Sequence, residues 1–331
     1  MAYTATRRLS KLQEMGRELI LLSSDLMSNA GATAELDAIK KVTSGRRSER
    51  WPYLFILPML AILGLVFLYP LVTVFRDSFY GGSVGQLTYV GAANYINLLH
   101  DPVFIHAILN NLKLLLTVPV TIVISLAAAL MLYENIKGWR VYRVILFLPY
   151  IIPATVVGLS FSYLLQEKGI LNTVLRNMSL NFMALDWIGS TSLSIYSIGG
   201  VIIWAQLGFG VVVLTAALLS LPTEVSEAAL VDGATRWQRQ RYVIIPQIKE
   251  TIQFLMVLEG ITALAWVFPY VYTLTKGGPA NSSMVLDLYI WQYGFGLGAV
   301  GLAAAAAVYL LLLSSVLIFI YSRLRRSQAN S

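Results

Sequence analysis

Six apolar stretches, each long enough to cross a lipid bilayer, constrain the fold of this chain more than any other feature. A hydrocarbon core about 30 Å thick takes roughly 20 residues of α-helix. Backbone polar groups inside lipid must be bonded within the protein, which favours helices over open strands. The sequence therefore predicts an all-α integral membrane protein, a bundle of about six transmembrane helices. The six stretches are Tyr53–Phe75, Ile108–Tyr133, Val144–Leu165, Ile195–Leu219, Ile252–Leu274 and Leu297–Tyr321.

Composition excludes several other classes of protein. Of 331 residues, 57% are hydrophobic and only 12% are charged, which is too apolar for an ordinary soluble domain. The absence of cysteine excludes disulfides and thiolate metal sites. The net charge of +7 is gathered at the two ends of the chain and in short loops, so it indicates membrane topology and no nucleic-acid partner.

The positions of Lys and Arg predict the orientation of the helices, because cytoplasmic loops carry an excess of both. Basic residues precede the first stretch, follow the sixth, and lie between the second and third and between the fourth and fifth. The intervening loops carry few. We expect both termini, and the segment 222–246, to be cytoplasmic.

The first 50 residues differ in composition from the rest and form a predicted cytoplasmic leader, followed by a transmembrane domain at 51–331. Apolar residues in this leader recur at helical spacing among polar ones, which is typical of an amphipathic helix on a membrane surface or a partner. The alternative is a basic leader that only enforces topology. The spaced residues are Leu12, Met15, Leu19, Leu22 and Leu26.

A charged helix is predicted in the cytoplasm between the fourth and fifth stretches. Pro222 ends the approach to it, and Thr223 is the predicted N-cap. Glu224 and Glu227 place negative charge near its start, where the helix dipole favours it.

Small residues follow along the same segment. Ala228 and Ala229 keep one face open to close approach, and Gly233 permits a sharp turn before a second helical piece that reaches Pro246. The segment 222–246 is therefore expected to form an L-shaped protrusion that a soluble partner grips. The alternative is an ordinary amphipathic linker.

The same residues carry a resemblance to a known family. The spacing Glu227-Ala228-Ala229-x3-Gly233-x9-Val243-x-Ile245-Pro246 resembles the EAA signature (EAA-x3-G-x9-I-x-L-P) of permease subunits in binding-protein-dependent ABC importers. The resemblance covers about residues 52–325 and points to the maltose-type carbohydrate branch, F-type permease. Further matching segments are Tyr89–Tyr95, Arg143–Pro153, Leu274–Pro279 and Leu286–Ile290. We call residues 222–246 the EAA segment.

The resemblance implies a type I ABC importer permease in the bacterial inner membrane. Its expected partners are two ABC ATPase subunits, a second G-type permease, a solute-binding protein and membrane lipid. No G-x4-G-K-[ST] phosphate loop occurs here, so ATP and Mg are expected on the ATPase partners, and this chain is expected to be non-catalytic with no cofactor of its own. The expected ATPase-coupling residues are Glu224, Glu227, Ala228, Ala229, Asp232, Gly233 and Pro246.

Polar and aromatic residues within the stretches are candidates for the solute pathway, because polar groups inside a membrane are costly. By resemblance, three of them match positions that face the sugar in the maltose permease. Alternatively, Glu259 pairs with the partner permease or lies near the interface, and the aromatic residues form interfacial belts. The candidates are Tyr150, Gln206 and Phe209, which carry the resemblance, with Glu259, Trp266 and Tyr270.

The predicted solute is a sugar or oligosaccharide. Within the family, a glycerol-phosphate-like solute or another polyol is the alternative. An ion-gradient-driven secondary transporter or channel is the alternative from another class, and it would predict buried charge relays or helices broken at the membrane midplane.

Overall fold

The computed structural model describes residues 51–82, 85–134 and 137–329, with side chains described between 55 and 323. The leader predicted at 1–50 lies outside these residues. The chain divides into two compact units, one ending at Tyr69 and the other beginning at Pro70. The described part of the first unit is helix α1 (Trp51–Leu63), continued by a π-helical turn at Gly64–Leu68.

Among the described residues of the second unit, the regular elements are helices and one short hairpin. The strands β1 (Tyr80–Gly81) and β2 (Thr88–Tyr89) pair antiparallel. The helices, in chain order, are α2 (Tyr69–Asp77), α3 (Ala93–His100), α4 (Pro102–Leu115), α5 (Thr117–Tyr133), α6 (Trp139–Ile151), α7 (Ala154–Leu164), α8 (Ile170–Asn177), α9 (Ser194–Leu219), α10 (Thr223–Val231), α11 (Arg236–Arg239), α12 (Ile245–Gln247), α13 (Lys249–Ala265), α14 (Phe268–Leu274), α15 (Leu286–Trp291) and α16 (Val300–Ala329). Single turns of other helix types lie at Asn181–Met183, Gln240–Ile244 and Gln292–Gly296.

Membrane spans account for most of the helical residues. Four helical runs are long and apolar enough to cross a bilayer, and two bent helix pairs bring the number to six when each pair is one span. The predicted bundle of about six spans is confirmed. The four runs are Phe55–Asp77, Pro102–Tyr133, Ser194–Leu219 and Val300–Arg323.

The third and fifth spans are broken, although the sequence predicted continuous helices. Helices α6 and α7 meet at 97°, and α13 and α14 at 46°. Pro153 precedes α7, and Pro269 lies in the first turn of α14. Proline lacks the N–H that would continue the helix and disfavours helical backbone in the residue before it. Each break therefore falls beside a proline.

The hairpin is held by a residue from one of the matching motifs. The Asn94 side chain donates hydrogen bonds to the carbonyls of Ser78 and Tyr80, at 2.9 and 2.8 Å. In the same region Gly301 packs so closely that an added Cβ would overlap the Tyr80 carbonyl oxygen. This close approach explains why α16 begins with small residues.

Two buried asparagines of α4 fasten the break of the fifth span. Asn111 donates to the carbonyls of Ala263 and Leu264 near the end of α13, and its Oδ1 accepts from the backbone N–H of Leu286 at 2.8 Å. Asn110 donates to the carbonyls of two residues in the segment before α15. Carbonyls freed at a helix end inside a membrane need such partners.

Candidate functional site

The first half of the EAA segment is a short exposed helix. Helix α10 covers nine residues, and none of them is buried. The prediction of Thr223 as N-cap is wrong: the helix begins at Thr223, and Pro222 holds the N-cap position without a side-chain hydrogen bond. The extended backbone of Pro222 (φ −60°, ψ 129°) explains this, because an N-cap residue has non-helical dihedral angles.

The turn predicted at Gly233 is present. Gly233 has φ +79°, a left-handed conformation that favours glycine. The N–H of Ala234 donates to the Ala229 carbonyl at 3.0 Å, and the N–H of Gly233 donates to the Leu230 carbonyl at 3.1 Å. Together these bonds form a Schellman motif that ends α10. A Cβ at Gly233 would meet no atom within 4 Å, so backbone conformation, and not crowding, selects glycine here.

The second half of the EAA segment starts with a capping box that the sequence analysis missed. The Thr235 hydroxyl accepts from the backbone N–H of Gln238, while the Gln238 side chain accepts from the backbone N–H of Thr235 at 2.9 Å. The Thr-x-x-Gln pattern was the available signal. Ile244 and Ile248 then anchor the segment in an apolar cluster with Leu214 and Leu218 of α9.

The predicted coupling residues lie on the outside of this structure. Among the described residues, no hydrogen bond or ion pair involves the side chains of the three acids of α10 and its end. Apolar side chains are exposed beside them, including Val231 with 88% of its surface accessible. The exposed coupling residues are Glu224, Glu227, Ala228, Asp232, Gly233 and Pro246, and Ala229 is half-buried.

Four of the six predicted solute-pathway residues come together between α6, α9, α13 and α14. The rings of Tyr150 and Phe209 stack with centroids 5.3 Å apart. Glu259 and Tyr150 are both electrostatic neighbours of the Tyr270 hydroxyl. Glu259 is only 7% exposed and lies ten residues into its span, about 15 Å from the start of α13. It therefore lies away from both ends of the helix pair that forms the fifth span.

The remaining two solute-pathway candidates are placed differently. Gln206 is half-buried and lies one helical turn before Phe209, on the same side of α9. Trp266 is 71% exposed and caps the end of α13 at the break. The structure thus gathers four candidates between these helices, with Gln206 one helical turn from Phe209, while Trp266 is exposed.

A glycine that the sequence analysis did not single out sets this geometry. A Cβ on Gly208 would lie 2.7 Å from the Leu146 carbonyl oxygen and 2.9 Å from the Phe147 Cα. The backbones of α6 and α9 approach this closely only because residue 208 lacks a side chain. The contact brings Tyr150 of α6 onto Phe209 of α9.

Within the described ranges, no group of three His, Asp or Glu residues could hold a metal ion. The side chains between α6, α9, α13 and α14 supply aromatic faces, one carboxyl and one amide. Such groups can bind a hydroxyl-rich solute by stacking and hydrogen bonding.

Comparison with known proteins was consistent across sequence and structure. A family model described as "Binding-protein-dependent transport system inner membrane component" matches residues 121–330. A probable ABC transporter permease protein of Pyrococcus horikoshii is 32% identical over 83% of this chain and 96% of its own length. The diacetylchitobiose uptake system permease protein NgcF of Streptomyces coelicolor is 31% identical over 71% of each chain.

A solved structure gives the same result for the fold. A chain of the bacterial alginate ABC transporter, in complex with alginate pentasaccharide-bound periplasmic protein, superposes with a TM-score of 0.73 and 25% identity. The match covers 85% of this chain and 96% of that chain. The EAA spacing, the membrane spans and these matches agree: the chain is a multi-pass membrane protein that belongs to the family of binding-protein-dependent transport system inner membrane components.

Proposed function

We propose that this chain is the non-catalytic permease subunit of an ATP-driven importer that moves a sugar or oligosaccharide across the bacterial inner membrane. The exposed helix α10 is the observation that carries the proposal. Its nine residues include no buried one, and it presents Val225, Leu230 and Val231 to its surroundings. Isolated helices this short are marginal in water. A partner that covers α10 accounts for its composition.

The proposed partner on α10 is an ABC ATPase subunit, one of two in the complex, and these subunits bind ATP and Mg. Ala228 and Ala229 would pack in a groove of the ATPase, and Glu227 would make a polar contact at its edge. Gly233 would set the angle at which α10 leaves the membrane domain. The basic residues within and just after the segment support a cytoplasmic position.

A sugar as the solute is supported by the relatives and by the side chains gathered between α6, α9, α13 and α14. One relative is named for diacetylchitobiose uptake, and the matching transporter structure carries alginate on its periplasmic protein. Tyr150, Phe209 and Tyr270 offer aromatic faces and hydroxyls, and Glu259 offers a hydrogen-bonding carboxyl. An acid in the pathway disfavours an anionic solute, so we favour a neutral sugar over a glycerol-phosphate-like one.

A second, G-type permease and a solute-binding protein complete the proposed assembly. The resemblance to the F-type branch supports a heterodimer of permeases. The binding protein would deliver the solute on the side opposite the EAA segment.

The test is affinity purification of the full chain from native membranes in mild detergent, with mass spectrometry and an ATPase assay of the eluate. We expect an ATPase subunit and a second permease with the wild type, and loss of the ATPase with Glu227→Ala and Gly233→Leu. Glu250→Gln is the matched control, because Glu250 is an exposed acid outside α10. A wild-type chain that purifies alone, without ATPase activity, would overturn the proposal.

A further inference from the structure

Glu134 connects the second half of the EAA segment to the end of the second span. It directly follows α5 and forms an ion pair with Arg236 through Oε2. Its Oε1 lies 3.3 Å from Arg239 Nη2 and accepts a hydrogen bond of 2.7 Å from Gln240 Nε2. The side chains of Glu134 and Arg239 are only 14% and 16% exposed. One carboxylate thus contacts three side chains within the short stretch 236–240.

This link differs from an ordinary surface ion pair. Buried ion pairs add little net stability, because desolvating both charges offsets their attraction, but they can specify one geometry. The Nε atom of Arg239 is buried and has no hydrogen-bond partner among the described residues. The guanidinium is therefore held by Glu134 while part of its bonding capacity is unused.

The exposed helix α10 reaches the membrane domain through this link. Helix α10 packs against α11 and the π-helical turn Gln240–Ile244, and these are the elements that Glu134 grips. A displacement of α10 by a partner would pass through Arg236, Arg239 and Gln240 to Glu134. The apolar anchor at Ile244 provides a second attachment on α9 and α5.

Glu134 lies at one end of a long helical rod. Residues Pro102–Tyr133 form a span of 32 residues, which corresponds to about 48 Å of helix. The other half of this rod carries Asn110 and Asn111, which bind the carbonyls of Ser282 and of the broken end of α13. Movement at Glu134 would therefore reach both the segment before α15 and the break of the fifth span.

We infer that Glu134 is a positioning residue that transmits movement of the EAA segment to the span Pro102–Tyr133, and through it to the segment at Ser282. This inference rests on the proposed function, since the movement originates at an ATPase bound to α10. The role differs from the docking role of α10, because Glu134 contacts the permease's own segment.

The chain contains no cysteine, which allows a thiol probe to be placed at Ser282. Ser282→Cys is introduced into the full complex, and the labelling rate with a water-soluble maleimide is measured with and without ATP plus vanadate. The cysteine-free chain gives the background from partner subunits. We expect ATP plus vanadate to change the rate about tenfold in the Ser282→Cys background, and less than about twofold when Glu134→Gln is added.

Two further variants test how much each arginine partner of Glu134 contributes to the ATP-dependent labelling response. Arg239→Gln removes the buried partner and is expected to abolish the response as Glu134→Gln does. Arg236→Gln removes the 59% exposed partner and is expected to give an intermediate response. Asp77→Asn is the matched control: it breaks the ion pair with Arg76 at the end of α2 and should leave the full response.

Co-purification of the ATPase and basal ATP hydrolysis separate the two hypotheses. We expect both to remain at wild-type levels in the Glu134 variant. A full response at Ser282 in Glu134→Gln, or no response in the Ser282→Cys background although the ATPase is present, overturns the inference alone. Hydrolysis and co-purification that fall together with the response indicate a merely structural role and also overturn it. Absence of the ATPase from the wild type overturns the proposed function itself.

Discussion

The carboxylate of Asp287 accepts a hydrogen bond of 2.6 Å from the backbone N–H of Phe268, the first residue of α14. A second bond of 2.9 Å comes from the N–H of Leu288. The N–H groups at the start of a helix have no partner within it. Asp287 supplies one at the break of the fifth span, while Asn111 binds the carbonyls on the other side of that break.

Removal from water raises the pKa of Asp287 to about 6, although the backbone N–H groups of Phe268, Leu288 and Val267 oppose the rise. The folded protein therefore holds a proton that the unfolded chain releases between about pH 4 and pH 6. Stability should fall as the pH rises through this window and then level off. We expect Asp287→Asn to lose this dependence, on the order of 3 kcal/mol.

Thermal melts in detergent from pH 4.5 to pH 8 would check this prediction. The difference in Tm between Asp287→Asn and wild type should shift in favour of the variant up to about pH 6 and stay constant above pH 7. Subtracting the wild-type curve cancels the contributions that other titrating groups make to Tm in both proteins. A difference that does not vary with pH would contradict the prediction.

Asn111→Ala should destabilise the protein strongly. The substitution leaves the carbonyls of Ala263 and Leu264 and the N–H of Leu286 without their buried partner. Each such group costs about 1–3 kcal/mol. We expect a large loss of Tm in detergent, whereas the exposed Asn177→Ala should change it little. Equal Tm values for the two variants would show that Asn111 does not hold the break.

Substitution by Ala should destabilise the protein at one glycine of α9 but not at another. Gly208→Ala forces α6 and α9 apart and should cost about 1–3 kcal/mol, because its Cβ would meet backbone atoms that cannot move independently. Gly200→Ala has nothing within 4 Å and should be neutral. Tm in detergent measures the difference. Solute uptake should also fall only with Gly208→Ala, since Tyr150 loses its contact with Phe209.

Substitutions at Gly233 should rank by tolerance of left-handed backbone and not by size. Substitution by Ala or Leu costs roughly 1–2 kcal/mol of stability there, whereas substitution by Asn costs less. Because no atom lies within 4 Å of a Cβ at this position, steric crowding adds no further cost. We expect Gly233→Asn to retain more ATPase-coupled uptake than Gly233→Ala, and Gly233→Leu to resemble Gly233→Ala. A ranking by side-chain volume would indicate that a partner packs on Gly233.

Glu259→Gln tests the solute pathway. The substitution keeps the shape and a hydrogen-bonding oxygen but removes the acid. We expect the ATPase to co-purify normally and uptake of radiolabelled diacetylchitobiose or maltose to fall about tenfold or more, since the proposed hydrogen-bonding partner of the solute is altered. Tyr163→Phe, at an exposed position of α7, is the control. A Glu259→Gln protein with wild-type uptake of every sugar that the wild type transports would assign Glu259 a structural role.

Broken spans alone do not separate the classes of transporter weighed at the outset. Breaks within membrane helices were the expected mark of a secondary transporter, yet two occur in this member of a binding-protein-dependent family. Here each break lies beside a proline, and side chains of Asn111 and Asp287 bond the freed backbone groups at the break of the fifth span. A break in a membrane helix therefore reflects local backbone chemistry. The EAA spacing is the feature that identified the class of transporter.

The sequence by itself determined the spans, the exposed EAA segment and the turn at Gly233. Each of these depends on neighbours along the chain: an apolar run, a proline, a glycine at a helix end. Only the tertiary structure decided which residues meet. Glu134 binds Gln240 across 106 positions, and Asn111 binds Leu286 across 175. Gly208 brings Tyr150 onto Phe209 through the packing of two helices. Such contacts arise from the three-dimensional packing of whole helices, so no local pattern of residues encodes them.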